Sequence, residues 1–99
     1  MKIIWSPKAL NDVKLVADII AEDKPKAAQK WIKSIFKVVE KLEPFPESGR
    51  IVEEVQRNDI REIILKNYRI IYRVSSSVDI LIVKHGARLL SEQDLSELL

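Results

Sequence analysis

Ile60-Arg61-Glu62-Ile63-Ile64-Leu65-Lys66-Asn67-Tyr68-Arg69-Ile70-Ile71-Tyr72-Arg73-Val74 is the stretch on which the fold turns. Its two halves, 60–65 and 68–74, are dense in β-branched and aromatic residues and short enough to be strands. Lys66-Asn67 separates them by the two residues a tight hairpin requires, with Asn as the residue that takes a positive φ. Along 68–74, Arg69, Ile71 and Arg73 fall on one side of the strand and Ile70, Tyr72 and Val74 on the other. This reading predicts a sheet with one apolar face and one basic stripe.

Outward from the hairpin, Ser75 to Ser77 make a reversal into a further strand at Val78–Val83, and Ile51–Val55 reads as a strand before it. Upstream, Pro44, Phe45, Pro46, Ser48, Gly49 and Arg50 form the segment richest in turn formers, where the period of the chain changes from helical to two. Gly49 is read as a backbone requirement. Arg50 is read as either a partner of a helix-end carboxylate or a contact for another protein.

The first half is helical. After a short strand at Ile3–Trp5, Ser6 is an N-cap and Pro7 a first-turn residue. Leu10, Val13, Ala17 and Ile20, reinforced by Val16 and Ile19, carry an amphipathic helix to about Glu22. Asp23-Lys24-Pro25 both stops it and starts a second helix. Ala28, Trp31, Ile32, Ile35, Val39 and Leu42 line the inner face of that helix, with Trp31 as a core anchor and Trp5 nearer an edge. Lys26, Lys30, Lys33, Lys37 and Lys41 read as its solvated side. At the other end, Ser91 with Asp94 nearly matches a capping box, predicting a short helix through Leu98 with Leu95, Leu98 and Leu99 facing inward. The fold class is therefore α+β: a helical hairpin on one face of an antiparallel sheet, closed by a small C-terminal helix.

Composition narrows the function. The 99 residues are 46% hydrophobic and 32% charged, which suits one domain spanning 1–99. At this size roughly 60–65% of the open chain's surface is buried, so a partner matters to stability. The absence of cysteine removes thiolate nucleophiles and cysteine–metal sites. A lone histidine gives no metal site, and no cofactor is expected. Met1–Trp5 is too short for a signal peptide or membrane span, so a cytoplasmic protein is expected, with no membrane contact. The net charge is only +2, yet residues 57–88 hold seven basic against three acidic side chains, and the tail turns acidic at Glu92, Asp94 and Glu97.

Several of these blocks, taken in order, resemble one family. Trp5, Ser6, Ala9 and Asp12, then Pro25, Ala27, Ala28 and Trp31, are followed by Leu42, Pro46, Gly49 and Arg50 in an L-x3-P-x2-G-R corner. Ile60-Arg61-Glu62, the run Tyr68–Val74, and Ile80, Ile82, His85 and Arg88 complete a match over about residues 5 to 88. The pattern is similar to the ParE branch of the RelE/ParE toxin superfamily, also called plasmid stabilisation proteins. The resemblance implies a growth-inhibiting toxin neutralised by a cognate antitoxin. ParE members poison DNA gyrase, whereas RelE members cleave messenger RNA on the ribosome.

RNA cleavage needs a base for the 2′-hydroxyl, cations for the phosphorane charge and an acid for the leaving oxygen. Glu53 or Glu54 as base, Arg61 and Arg73 as clamp and His85 as acid form a candidate set, since histidine titrates near neutrality. Against it stand the missing C-terminal aromatic of many RelE-type ribonucleases and the acidic tail. His85 also reads as a partly buried, hydrogen-bonded strand end. Gyrase inhibition needs no catalytic set. Its expected partner-binding residues are Arg50, Arg61, Arg69, Ile71, Arg73 and Arg88, with the alternative that Arg61, Arg69 and Arg73 are salt-bridged at an edge with Glu62 and Asp79. A third reading is a binding module without toxicity.

Overall fold

The computed structural model describes residues 1–99 and contains β1 (Ile3–Trp5), α1 (Pro7–Asp23), α2 (Pro25–Glu40), β2 (Arg50–Ile51), β3 (Ile60–Leu65), β4 (Tyr68–Val74), β5 (Val78–His85) and α3 (Glu92–Leu98). One five-stranded sheet runs β1-β5-β4-β3-β2. Neighbours are antiparallel except the edge pair β1 and β5, which is parallel, with Ile3 opposite Val78 and Trp5 opposite Ile80. A parallel neighbour requires a crossover, and the helical hairpin is part of the chain that makes it. The α+β architecture of two N-terminal helices, a mainly antiparallel sheet and a short C-terminal helix is as the periodicity implied.

Both helices start as the sequence dictates. The Ser6 side chain accepts from Ala9 N–H at 3.0 Å, and Pro7 and Pro25 occupy first-turn positions where a missing N–H is harmless. α1 and α2 cover one face of the sheet. Ala9, Val13, Ala17, Trp31, Ile35, Val39 and Leu42 meet Ile70, Tyr72, Val78, Ile80 and Val83 in the larger core. Trp31 is buried edge-on to Tyr68 (ring centroids 5.1 Å), and Trp5 packs on Phe36 at 4.7 Å. Leu10 and Ile19, placed inward by the helical spacing, are instead 45% and 67% exposed. The inward stripe of α1 is narrow because small Ala9 and Ala17 bring it close to the sheet.

The opposite face is also buried, which corrects the expectation of an open basic side. Val52, Ile60, Ile71, Ile82, Leu90 and Leu98 form a second core of their own. It is covered by α3 and by the turn at 52–56. That turn replaces most of the strand expected at Ile51–Val55. Only Arg50 and Ile51 pair with β3, after which Val55 and Gln56 N–H both bond back to Val52 O and Gln56 takes φ 56°. Burial of Val52 and the partly buried Val55 draws the chain down onto the sheet. In α3, Ser91 Oγ accepts from Asp94 N at 3.1 Å and Asp94 Oδ2 from Ser91 N at 2.9 Å, a full capping box. Leu98 is buried, but Leu99 is 74% exposed because it lies past the last turn.

Two local departures are found in the hairpin turn and in β5. In the 66–67 turn the positive φ falls on Lys66 (53°), not on Asn67. In β5 the register slips, with Ile71 opposite Ile82 but Tyr72 opposite Ile80, so Leu81 is a bulge residue. Ile80 and Ile82 consequently enter different cores. Residues of α1 and its cap satisfy the backbone around this bulge: Ser6 N–H donates to Ile80 O (2.9 Å), Ser6 Oγ to Leu81 O (3.3 Å), and Val83 N–H to Asp12 Oδ2 (3.0 Å).

Candidate functional site

Where β2, β3 and β4 approach the 85–90 loop, the second face of the sheet opens into a cleft of about 830 Å³ lined by Arg50, Glu54, Glu62, Arg69, His85 and Leu89, among others. Its floor is an ion network. Arg69 Nη1 and Nη2 donate to the two oxygens of Glu54, each at 2.9 Å, while its Nε donates to Glu62 Oε1 at 2.6 Å. Arg50 Nε reaches the other Glu62 oxygen at 2.9 Å. Arg69 and Glu62 are nearly inaccessible, with 8% and 2% of their side chains exposed. A planar guanidinium suits this bidentate geometry, and a buried ion is tolerated when its hydrogen-bonding positions are filled.

Arg69 holds the Glu54 carboxyl at a pKa of about 2, against the desolvating effect of burial and with help from the Leu90 N–H at 3.2 Å. The same pairing with Glu54 and Glu62 raises the Arg69 pKa. Beside the network, burial opposes ionisation of Asp94, but Lys84 and the Ser91 donors outweigh it, so its pKa is lowered. Lys84 Nζ bonds Asp94 Oδ2. The short α3 is thereby tied to β5 by charge as well as by Leu98.

The residues singled out in the sequence are divided by this geometry. Arg69 and Ile71 lie on the expected side of β4, but neither is open: Arg69 is spent on two carboxylates, and Ile71 is fully buried under the second core. Arg73 is 29% exposed, donating to Leu98 O and lying 4.0 Å from Asp59. Arg61 points to the helix side of β3, the side opposite Glu62. There it donates to Asn58 O (3.0 Å), Glu47 O (3.3 Å) and Gly49 O (2.9 Å), fastening the turn before β2. Of these three arginines, Arg69 meets Glu54 and Glu62 and Arg73 lies near Asp59, whereas Arg61 bonds only backbone carbonyls; Asp79 instead accepts from Ser77. Arg50 pairs with Glu62 on β3, not with a helix end, and keeps 68% of its side chain exposed. Arg88 is exposed.

The ribonuclease set is likewise scattered. Glu53, Glu54 and His85 line the cleft, whereas Arg61 and Arg73 are outside its lining. Glu53 is exposed at the turn. His85 is exposed, contrary to the partly buried reading, because it ends β5; its Nδ1 accepts from Ala87 N–H at 3.1 Å and its ring stands edge-on to Tyr68. No group of three or more His, Asp or Glu side chains is arranged to hold a metal ion, and no helix is long and apolar enough to cross a membrane.

A second groove, of about 480 Å³, runs between α1 and the ends of β4 and β5. Leu15, Ile19, Tyr68 and Val83 give it an apolar floor, with Lys84, His85 and Arg88 at its rim. Leu15 and Ile19 are 53% and 67% exposed. Helical spacing joined Ile19 to the core face, so this groove was hidden in the sequence; the short side chains at Ala9 and Ala17 were its one signal.

A helical hairpin packed on a mainly antiparallel sheet, with a charged cleft on the far side, defines a RelE/ParE-like α+β domain. Residues 3–90 match the ParE toxin of type II toxin-antitoxin system, parDE. The chain belongs to this ParE toxin family. It is 29% identical over 89 residues to Toxin RelE2 of Caulobacter vibrioides, covering 89% of this chain and 98% of that protein. It is 34% identical over 87 residues to the candidate toxin Y4kP of Sinorhizobium fredii, covering 86% and 88%. A solved structure described as the chromosomal ParDE TA system from P. aeruginosa superposes with a TM-score of 0.73 at 21% identity, over 86% of this chain and 95% of that one, a likeness of fold.

Proposed function

We propose that this toxin arrests growth by inhibiting DNA gyrase through protein contact, within the cytoplasm, and that a cognate antitoxin neutralises it. The observation that carries this reading is that Arg61 and Arg73 stand outside the cleft lined by Glu53, Glu54 and His85, and that Glu54 is itself tied to Arg69. A carboxylate held at about 2 by a bidentate arginine is a weak base at neutral pH, and a general base works best with a pKa near the working pH. The clamp residues Arg61 and Arg73 are committed to backbone carbonyls away from the cleft. A ribonuclease built on these groups lacks an assembled site, whereas inhibition by contact needs only surface.

Arg50 and Arg88 remain the accessible members of the expected partner-binding set. Arg61, Arg69, Ile71 and Arg73 serve the partner by holding the surface in shape. The apolar groove with Leu15 and Ile19 on its floor and Arg88 at its rim suits an acidic, amphipathic antitoxin segment. The test is a pair of assays on the purified chain: gyrase supercoiling, and cleavage of ribosome-bound messenger RNA. Inhibition of supercoiling that survives His85→Ala is expected. RNA cleavage lost in His85→Ala, with gyrase unaffected at large excess, overturns the reading in favour of the ribonuclease. Absence of both activities and of growth arrest leaves the binding module.

A further inference from the structure

The two helices of the hairpin treat their lysines differently. On α1, Lys8 and Lys14 each meet an aspartate four residues on, Lys8–Asp12 at 3.0 Å and Lys14–Asp18 at 3.1 Å. On α2, Lys26, Lys30, Lys33 and Lys37, continued by Lys41 at the C-cap, are all exposed, and none takes part in an ion pair. The only carboxylate of α2, Glu40, is its last residue. At 3.6 residues per turn the five lysines fall within an arc of about 80°, opposite Trp31 and Ile35, and extend over about 22 Å of helix. Like charges three and four residues apart destabilise a helix, and a lysine in the first turn opposes its dipole. A merely solvated face gains nothing from this arrangement when i,i+4 aspartates, used on α1, would remove the repulsion.

We infer that the lysine stripe of α2 is a docking surface for the phosphate backbone of duplex DNA. A straight row of point charges matches a rigid, evenly spaced row of phosphates, and lysine contacts phosphates without reading bases. Lipid is a poorer fit, because none of the large exposed hydrophobic side chains lies on α2, leaving no apolar face to enter a bilayer. Single strands are a poorer fit too, since binding them relies on exposed aromatic platforms, whereas Trp31 is buried and Phe36 is packed on Trp5. The surface lies across the hairpin from the second-face cleft and is independent of any action on gyrase.

The test is fluorescence anisotropy of a mixed-sequence duplex of about 24 base pairs titrated with the purified chain at several KCl concentrations, with no gyrase present. Five lysine–phosphate contacts predict a slope of log K against log salt of about −4.5, and the K30Q/K33Q/K37Q variant a slope of about −1.8 with roughly tenfold or greater loss of affinity at low salt. A control with the same net charge, K2Q/K14Q/R57Q, is expected to stay close to the parent. Helicity of both variants is checked by circular dichroism, and glutamine is a good helix former. The assignment fails if the parent shows no binding at about 50 mM salt, if the two variants lose affinity equally, or if the chain prefers single-stranded DNA, duplex RNA or phosphatidylserine vesicles to the DNA duplex.

Discussion

Gly49 and Tyr72 show how one atom constrains this fold. The φ of Gly49 is unremarkable, yet a Cβ there would lie 2.5 Å from Tyr72 Oη and 2.7 Å from Glu62 O. The residue is glycine because of close approach, and its N–H donates to Tyr72 Oη at 3.0 Å. Gly49→Ala is expected to cost about 1–3 kcal/mol by overpacking, measured by urea denaturation. Tyr72→Phe should cost about 1–3 kcal/mol by leaving a buried N–H unpaired. The double variant should be more stable than the sum of the two losses implies, because one obstacle is gone, though Glu62 O still stands in the way. Strict additivity would show that the contact does not control the corner.

At Glu54 the same scale gives a pH dependence. Its pKa falls from 4.5 to about 2 on folding, so the carboxylate stabilises the fold above its unfolded pKa, and that stability is lost as pH falls through the folded value. With a quarter of the side chain exposed, the contribution is on the order of 2 kcal/mol. The melting temperature should drop between about pH 5 and pH 2, and Glu54→Gln should lower it at pH 7 and flatten that drop. An unchanged acid profile in the variant would place the sensitivity elsewhere.

At the level of elements, β4 and β5 both contribute to the two cores, and β4 does so with adjacent residues. Ile70 and Ile71 are each fully buried but face opposite sides. Ile70→Ala and Ile71→Ala should each cost about 2–5 kcal/mol in denaturant unfolding. A cost below about 1 kcal/mol at Ile71 would mean that the second face is open to solvent. The alternation along 68–74 gave the two sides correctly, but it could not show what covers the basic one. Arginine is equally compatible with an open stripe and with buried carboxylates, and those carboxylates come from residues 7 and 15 positions earlier.

For the whole molecule, the sheet couples what lies on its two faces. α3 has seven residues, too few to persist alone, and its Leu98 and Asp94 are anchored to the sheet. Leu98→Ala should therefore lower the midpoint followed through tryptophan fluorescence, although Trp31 and Trp5 both belong to the other core, and by the same amount when followed by circular dichroism. Separate transitions for the two probes would mean that α3 unfolds on its own.

Sequence alone determined the local elements: the capped helices, the 60–74 hairpin, the α+β class and the order of blocks that marks the family. Each depends on neighbours within a turn or a strand pair, where backbone preference and periodicity act. Tertiary structure alone decided that both faces of the sheet are covered, that Ile80 and Ile82 part company at a bulge, that Arg69 is locked between two glutamates and that Leu15 and Ile19 line a groove. Those outcomes rest on which distant groups fill each valence and each void, and spacing along a chain does not encode that.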